Sequence, residues 1–478
     1  MTLALAMSFV ISTTTGVLLL RLLWPRDAAT CPWPLLTALG TGFGAGLSAV
    51  LLFLWMIAVG PTRGFALAEV GLLALVTLTS LVRGRIRTTP HPVSSDSRRG
   101  SRLLLLLVLV FLVTLTAAAA AFLSTLRQHP HGEWDAWMNW DLRARMIFRG
   151  GEEWRTAFSG VIPWSHPDYP VLVPSLVARS WLYAGRETLL GPALVAATFT
   201  FGTVALVVTG LAALRGWSQG LLAGLLLLST PFFIIHGTSL YADVPLGFFF
   251  LATFVCLALD ERYGGATSRF AMLAGLAAGL GMWVKNEGLL FALAVAGGIL
   301  FANRSDGWAA TRRRLLAVGA GLLPMLILVV SFKIAFAPPN DLLSTLSVER
   351  TLARLTAPDR YYVVLREYAH HIASFGQNKF GSVAWVLTAY LLGLGVSQTE
   401  VSRRWVRAGT AALVLLLAGH FMVFVSMADE LPRLLNSSLD RLLLQLWPSA
   451  LFLFFMVVRT PQEAAADSFV MGRPLEDH

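Results

Sequence analysis

The sequence is poor in charge, in lysine and in cysteine. Charged residues make up 13% of the 478 positions, against 56% hydrophobic. Soluble chains carry about 25% charged residues, so composition excludes an ordinary soluble domain. The two cysteines, Cys31 and Cys256, are predicted at a helix start and inside a helix. They supply neither a disulfide framework nor a metal site. Only Lys285, Lys333 and Lys379 are lysines, so the net charge of +10 is carried almost wholly by arginine. Those arginines are spread over short loops between apolar runs, which is the positive-inside bias of a membrane protein and not a nucleic-acid footprint. No Ser-His-Asp order, Gly-rich phosphate loop, HExxH or CxxC occurs, so hydrolase and NTPase readings have no motif to stand on.

What the chain does have is long apolar runs. About 20 apolar residues cross a bilayer core, and thirteen candidate spans meet or approach that length. They cover 3–20, 34–59, 64–82, 103–125, 189–213, 220–238, 243–260, 270–284, 287–302, 315–337, 381–396, 409–427 and 440–458, with 270–302 readable as a broken hairpin. The first run lacks a cationic flank and a small-residue cleavage site, so it reads as a retained helix. The segment 83–102, the cluster Arg312–Arg314 and the segment 402–409 are basic and fall on one side of this layout. That side is cytoplasmic, which puts 126–188, 338–380 and 428–440 outside. Arginine with abundant Ala, Leu and Gly fits a bacterial chain from a GC-rich genome. The expected fold is therefore an all-α polytopic membrane protein of the bacterial inner (cytoplasmic) membrane. It divides into an N-terminal three-span module with a basic cytoplasmic loop (1–102), a core with the external loop 126–188 (103–302), and C-terminal spans with the external loop 338–380 and a cytoplasmic tail (303–478).

The first external loop is unlike the rest. It holds six of the fifteen tryptophans and seven of the 27 carboxylates, and its stretch HGEWDAWMNWDLRAR (131–145) packs three carboxylates, two arginines and three tryptophans. On a helix from Trp134, residues Asp135, Asn139 and Arg143 form one stripe, with Trp137, Trp140 and Ala144 on the far side. That pattern predicts an interfacial amphipathic helix with its polar face turned away from lipid, and Asp141 and Arg145 are spaced for an i,i+4 ion pair. Carboxylates beside lipid headgroups cost desolvation, so Glu133 and Asp135 call for a chemical explanation. Further on, WSHPDYPVLVPSLVARSW (164–181) sets His166, Asp168 and Tyr169 between prolines and adds Arg179. Aromatic faces stack on sugars and arginines clamp phosphates. Tyr241 and Asp243 precede a span, Lys285 and Glu287 interrupt apolar sequence as an ion pair or a wet site, and Arg441 with Asp440 marks the outer end of the last span. Ionisable residues so placed are expensive unless paired or facing a wet cavity.

These residues together resemble the GT-C superfamily of integral-membrane glycosyltransferases, which includes protein O-mannosyltransferases and the aminoarabinose transferases that modify lipid A. Glu133-Trp134-Asp135 is similar to the acidic motif of that family's first large external loop. YADVPLGFFFLA (241–252) is similar to its aspartate before a Pro-initiated span, GLAAGLGMWVKNEGLL (275–290) to its Gly-rich helix ending in lysine, and Arg441 to its arginine on a late helix. The resemblance covers 100–300 best. Three spans before residue 100, where the family has one before its acidic loop, depart from it. It implies a GT-C-like bundle of about 13 helices with amphipathic juxtamembrane helices in the first external loop.

The resemblance also implies a polyprenyl-phosphate-linked sugar donor and an inverting transfer to a hydroxyl of a lipid, glycan or protein acceptor on the periplasmic face. Asp135 is then the base, Glu133 its helper, and Arg441, Lys285 and Arg179 the cations for the leaving phosphate. His166, Asp168, Tyr169, Tyr241, Asp243 and Glu287 complete the expected substrate site. The acidic pair could instead hold a divalent cation. Membrane lipid is an expected partner and nucleic acid is not. Two alternatives stand beside this reading: an O-antigen ligase- or polymerase-like enzyme using Arg350, Arg354, Arg360, His370 and His371 of the later loop, and a transporter or flippase of lipid-linked sugars.

Overall fold

The computed structural model describes residues 2–25, 32–83, 98–263, 268–302, 307–340, 347–376, 382–401, 403–427 and 431–464. Cys31 and most of the basic segment 83–102 lie outside the described residues. The chain is all-helical: among the described residues the sole β feature is an isolated antiparallel bridge between Val396 and Val458. The helices are α1 (Thr2–Leu23), α2 (Trp33–Ala58), α3 (Phe65–Val82), α4 (Arg98–Gln128), α5 (Asp141–Arg149), α6 (Leu172–Ala184), α7 (Leu190–Arg215), α8 (Trp217–Leu228) and α9 (Pro231–Thr238). They continue as α10 (Asp243–Tyr263), α11 (Arg269–Val284), α12 (Glu287–Ala302), α13 (Trp308–Ala335), α14 (Val348–Leu355), α15 (Pro358–Ser374), α16 (Val383–Leu394), α17 (Arg404–Met427) and α18 (Leu431–Val457).

Among the described residues nine helices are long and apolar enough to cross a membrane: α1–α4, α7, α10, α13, α17 and α18. Helices α8 and α9 are long and apolar enough only when taken together, and they are bent by 66° at their junction, where Pro231 lacks the N–H to continue the ladder. These elements fall on ten of the thirteen expected spans. The other three fall on α11, α12 and α16, which are shorter apolar helices of 16, 16 and 12 residues. The segment 270–302 is indeed two helices, parted at Lys285 and Asn286.

Helix α10 is the axis of the bundle. Its apolar window is 100% buried, while those of α3 and α4 are 17% and 6% buried, which places these two at the lipid-facing rim. Helix α10 packs on α7, α11 and α18. Small residues let backbones close up where side chains cannot drive association in lipid. A Cβ on Gly16 of α1 would lie 2.0 Å from the Gly40 carbonyl of α2, and one on Gly321 of α13 would lie 1.8 Å from the Met272 carbonyl of α11.

Each end of α10 carries a paired aspartate. Asp243 opens the helix, and Asp260, about 25 Å further along at 1.5 Å per residue, meets Arg314 at 3.4 Å. The Asp260 end also ties the late helices together. The Glu261 carboxylate accepts from the backbone N–H groups of Arg404 and Trp405, capping α17, and Arg215 pairs with Glu463. At the opposite end of α17, Arg354 and Arg360 donate to the carbonyls of Phe424, Val425 and Ser426. Those are the carbonyls a helix C-terminus leaves without intrahelical partners. Of the arginines considered for a ligase, these two therefore serve a helix end.

The N-terminal helices α1 and α3 are tied to the bundle through α6. Arg179 of α6, 1% exposed, donates from Nε to both carboxylate oxygens of Glu69 in α3, at 3.0 and 2.8 Å, and from Nη2 to the Ser8 carbonyl of α1. Tyr183 adds a hydrogen bond to Glu69 at 2.8 Å. Arg179, expected to clamp a phosphate, is thus committed to a structural pair. Breaking one partner of a buried pair costs about 3–5 kcal/mol because it strands the other charge, whereas replacing both can be nearly neutral. Glu69→Gln should therefore lower the thermal unfolding temperature of the purified protein strongly. Glu69→Leu combined with Arg179→Leu should recover much of the loss, and a loss in the double variant equal to the sum of the single ones would refute the coupling.

Candidate functional site

The polar residues of the sequence gather at the Asp243 end of α10. Two backbone features bring them there. Gly132 has φ +70, and a Cβ on it would lie 2.5 Å from the Ser239 carbonyl, so the loop before Glu133 lies directly on the segment before α10. Glu133 N–H donates to that carbonyl at 3.2 Å. Opposite it, Leu240 holds φ 60, a left-handed conformation costly for a branched side chain. The result is a close apposition of residues 132–135 with 239–243, and the Asp135 N–H donates to the Tyr241 hydroxyl at 3.3 Å.

Asp243, fully buried, is the hub. Its Oδ1 accepts from Lys285 Nζ at 3.0 Å and Gln445 Nε2 at 2.6 Å, and its Oδ2 accepts from Arg441 Nε and Nη2 at 3.1 and 2.9 Å. Arg441 Nη2 also reaches Asp135 at 2.7 Å, so one guanidinium joins the loop after α4 to the bundle axis. Its Cζ lies 4.6 Å from the centre of the Tyr241 ring. Lys285 pairs with Glu287 at 2.7 Å. Local sequence explains these positions: Asp243 and Glu287 sit in the first turns of α10 and α12, and Lys285 caps the C-terminus of α11. Each sign complements its helix dipole.

A second cluster adjoins the first. Asp168 Oδ2 accepts from Asn286 at 2.8 Å, Asn340 at 2.7 Å and Lys333 at 3.2 Å, and Lys333 also donates to the Asp168 carbonyl. Burial pushes the Asp168 carboxyl up, but the Asn340 hydrogen bond, the Lys333 charge and the Asn286 hydrogen bond outweigh it and hold the group below the usual carboxylate range. Tyr169 joins the clusters: its ring centre lies 5.9 Å from Lys285 Nζ, and its carbonyl accepts from Arg143. His166, at φ 46, stacks on Tyr169 with ring centres 5.1 Å apart.

Of the residues expected from sequence, Asp135, Tyr241, Asp243, Lys285, Glu287 and Arg441 therefore meet in one network, with Asp168, Tyr169 and His166 beside it. Glu133 turns elsewhere, to His129 at 3.5 Å with both side chains about half exposed, and Arg179 lies in the Glu69 pair. Among the described residues no three His, Cys, Asp or Glu side chains group as metal ligands. Sequence reasoning missed Gln445, Lys333, Asn340 and His236, and noted Asn286 beside Lys285 and Glu287 without counting it a site residue. Gln445 was findable one helical turn after Arg441. His236, 6.0 Å from Tyr241 between ring centres, gave no signal, because the bend before α9 is what turns it toward the site.

The interfacial helix is also different from its expectation. Residues 136–140 form a π turn, which shifts the register of the helix after it. Asn139, Trp140, Asp141, Arg143 and Ala144 are all at most 2% exposed, while Trp134 and Trp137 are 58% and 41% exposed. Arg145 pairs with Glu187 at 3.5 Å, and Asp141 faces a small cavity lined by Val173, Val177, Pro192, Leu240 and Tyr241. Burial pushes the Asp141 carboxyl up to about 7, against a smaller opposing effect of Arg145.

That shift has a sign. A carboxyl with a raised folded-state pKa holds its proton better when folded, so its contribution is largest below the unfolded value and is lost as pH rises toward 7. Wild type should lose thermal stability between pH 5 and pH 8, by an amount on the order of a few kcal/mol. In Asp141→Asn that component should disappear, leaving a variant more stable than wild type at pH 8. An unchanged pH profile in Asp141→Asn would refute the assignment.

Comparison with protein-family models, with curated proteins and with solved structures gave no match to this chain.

Proposed function

We propose that the protein is a glycosyltransferase of the bacterial inner membrane. It moves a sugar from a polyprenyl-phosphate-linked donor to an acceptor hydroxyl of an envelope lipid, glycan or protein on the external face. The observation that carries this reading is the Arg441 bridge, which holds the loop carboxylate Asp135 and the buried Asp243 on one guanidinium at 2.7 and 2.9 Å. It supports a site where a solvent-facing carboxylate and buried cations share one place. The end of α10 opposite the arginine cluster Arg312–Arg314 is the external end by the charge rule.

In this mechanism the acceptor oxygen attacks the anomeric carbon as the carbon–oxygen bond to phosphate breaks, inverting the centre. The hydroxyl proton passes to Asp135, and the electron pair of the broken bond leaves on polyprenyl phosphate. A carboxylate locked to arginine is a weak base. An incoming phosphate competes for Arg441 and frees Asp135 for that task, while Arg441 and Lys285 stabilise the departing charge. Asp243 and Gln445 hold Arg441 and Lys285 in position throughout. Any divalent cation would have to be shared between Asp135 and substrate oxygens, since Glu133 faces His129.

The test is mass spectrometry of envelope glycolipids, glycoproteins and polysaccharides from a deletion strain complemented at equal expression. Wild type should restore one glycan mass. Asp135→Asn should lower its formation by about 10²-fold or more, the size of a general-base contribution, and Glu133→Gln should restore most of it. Full restoration by Asp135→Asn would refute Asp135 as the base.

A further inference from the structure

One buried acid takes no part in the networks around Asp243 and Asp168. Asp141 is 2% exposed, yet among the described residues no donor bonds its carboxyl. The side chain faces a cavity instead. Seven of the eight other residues around that cavity are apolar, among them Val173 and Val177 one turn apart on α6 and Val195 and Ala196 on α7. The eighth is Tyr241, and of all the lining residues it alone is not buried, so the way in passes beside it. The Tyr241 hydroxyl accepts the Asp135 N–H at 3.3 Å. The mouth of the cavity therefore adjoins Asp135.

Size and lining limit what can enter. The space takes about one small group, far less than a sugar ring. A buried water needs about 2–4 polar partners, and these walls offer only the Asp141 carboxyl and a Tyr241 hydroxyl already engaged by Asp135. A sugar hydroxyl gains nothing from the apolar walls. The bare methyl of a deoxy sugar leaves the carboxyl unmatched. An ammonium brings a second charge into an apolar pocket, at a desolvation cost that pairing barely offsets. An acetamido group matches both features: its methyl meets the apolar walls and its amide reaches the carboxyl. Burial pushes the Asp141 carboxyl up to about 7. Near neutral pH it can therefore donate to the amide carbonyl or, when ionised, accept from the amide N–H.

We infer that the Asp141 cavity is a specificity pocket for an N-acetyl substituent, so that the sugar handled at Asp135 is a 2-acetamido sugar. The 2-position is the ring position next to the anomeric carbon, where the attack assisted by Asp135 takes place. The inference rests on the glycosyl transfer proposed above and names the sugar class that this transfer uses.

The experiment is ligand-induced thermal stabilisation of the full-length protein in nanodiscs. The probes are three short polyprenyl phosphates, linked to N-acetylglucosamine, to glucose and to glucosamine, which differ only in an acetamido, hydroxyl or ammonium group at the 2-position. Wild type should respond to the acetamido lipid at a midpoint about tenfold or more below the other two. Asp141→Leu removes the polar partner and Ala196→Val narrows the cavity, and each should bring the three midpoints within about threefold of one another. Ala196→Val carries the test if Asp141→Leu does not fold. Equal midpoints in wild type, or an acetamido preference that persists in both variants, would overturn the pocket and leave the proposed function standing. A wild-type preference for the glucosamine or the glucose lipid would overturn the acetamido assignment. No stabilisation by any of the three would overturn the proposed donor class, and the inference with it.

Discussion

A carboxylate with no access to water, at the end of the most buried helix of a membrane bundle, is the constraint around which this protein is arranged. Asp243 stays charged inside the fold only because Lys285, Arg441 and Gln445 surround it with donors. Those donors come from the end of α11 and from α18, so the junctions of three helices are set by one side chain. Arg441 passes the same constraint outward to Asp135, and Lys285 passes it to Glu287. The loop after α4 is therefore seated on the helical core by charge as well as by packing.

The apolar runs made the helical, multi-pass architecture legible, because a period-free stretch of about 20 apolar residues has few other uses. The polar interruptions were legible too. Asp243, Lys285, Glu287 and Arg441 each stood out against apolar neighbours, and they meet. What composition could not give was partnership. Arg179 and Arg441 look alike in sequence, yet one is paired with Glu69 and the other with Asp135 and Asp243. Helical periodicity failed between 136 and 140 for a physical reason: a π turn adds a residue per turn, so a wheel drawn at 3.6 residues assigns the side chains after it to the wrong faces. Asn139 and Arg143, expected on a wet face, are buried, and so are Trp140 and Ala144 of the opposite face.

The two ends of the bundle use arginine in different ways. At the end of α10 marked by Asp260, arginines meet Asp260, Glu400 and Glu463 and tie helix termini together. At the other end, Arg354 and Arg360 close the last turn of α17, and His371 holds Asp440 at 2.7 Å, one residue before Arg441. Helix α15 thus braces α18 next to the residue that joins the loop to the axis. The arrangement keeps the network's outer wall rigid while its mouth, at Asp135, stays partly open to solvent.

The Glu69–Arg179 pair also bears on how the chain is made. The two residues are 110 positions apart. At roughly 5–20 residues per second, synthesis takes on the order of 5–20 s to cover that interval. During that time α3 is available for membrane insertion while α6, which carries the arginine, is still unmade. A lone acidic residue in a spanning helix is costly to the bilayer. Helix α3 is therefore a late-settling element: it reaches its final place only once α6 has been synthesised.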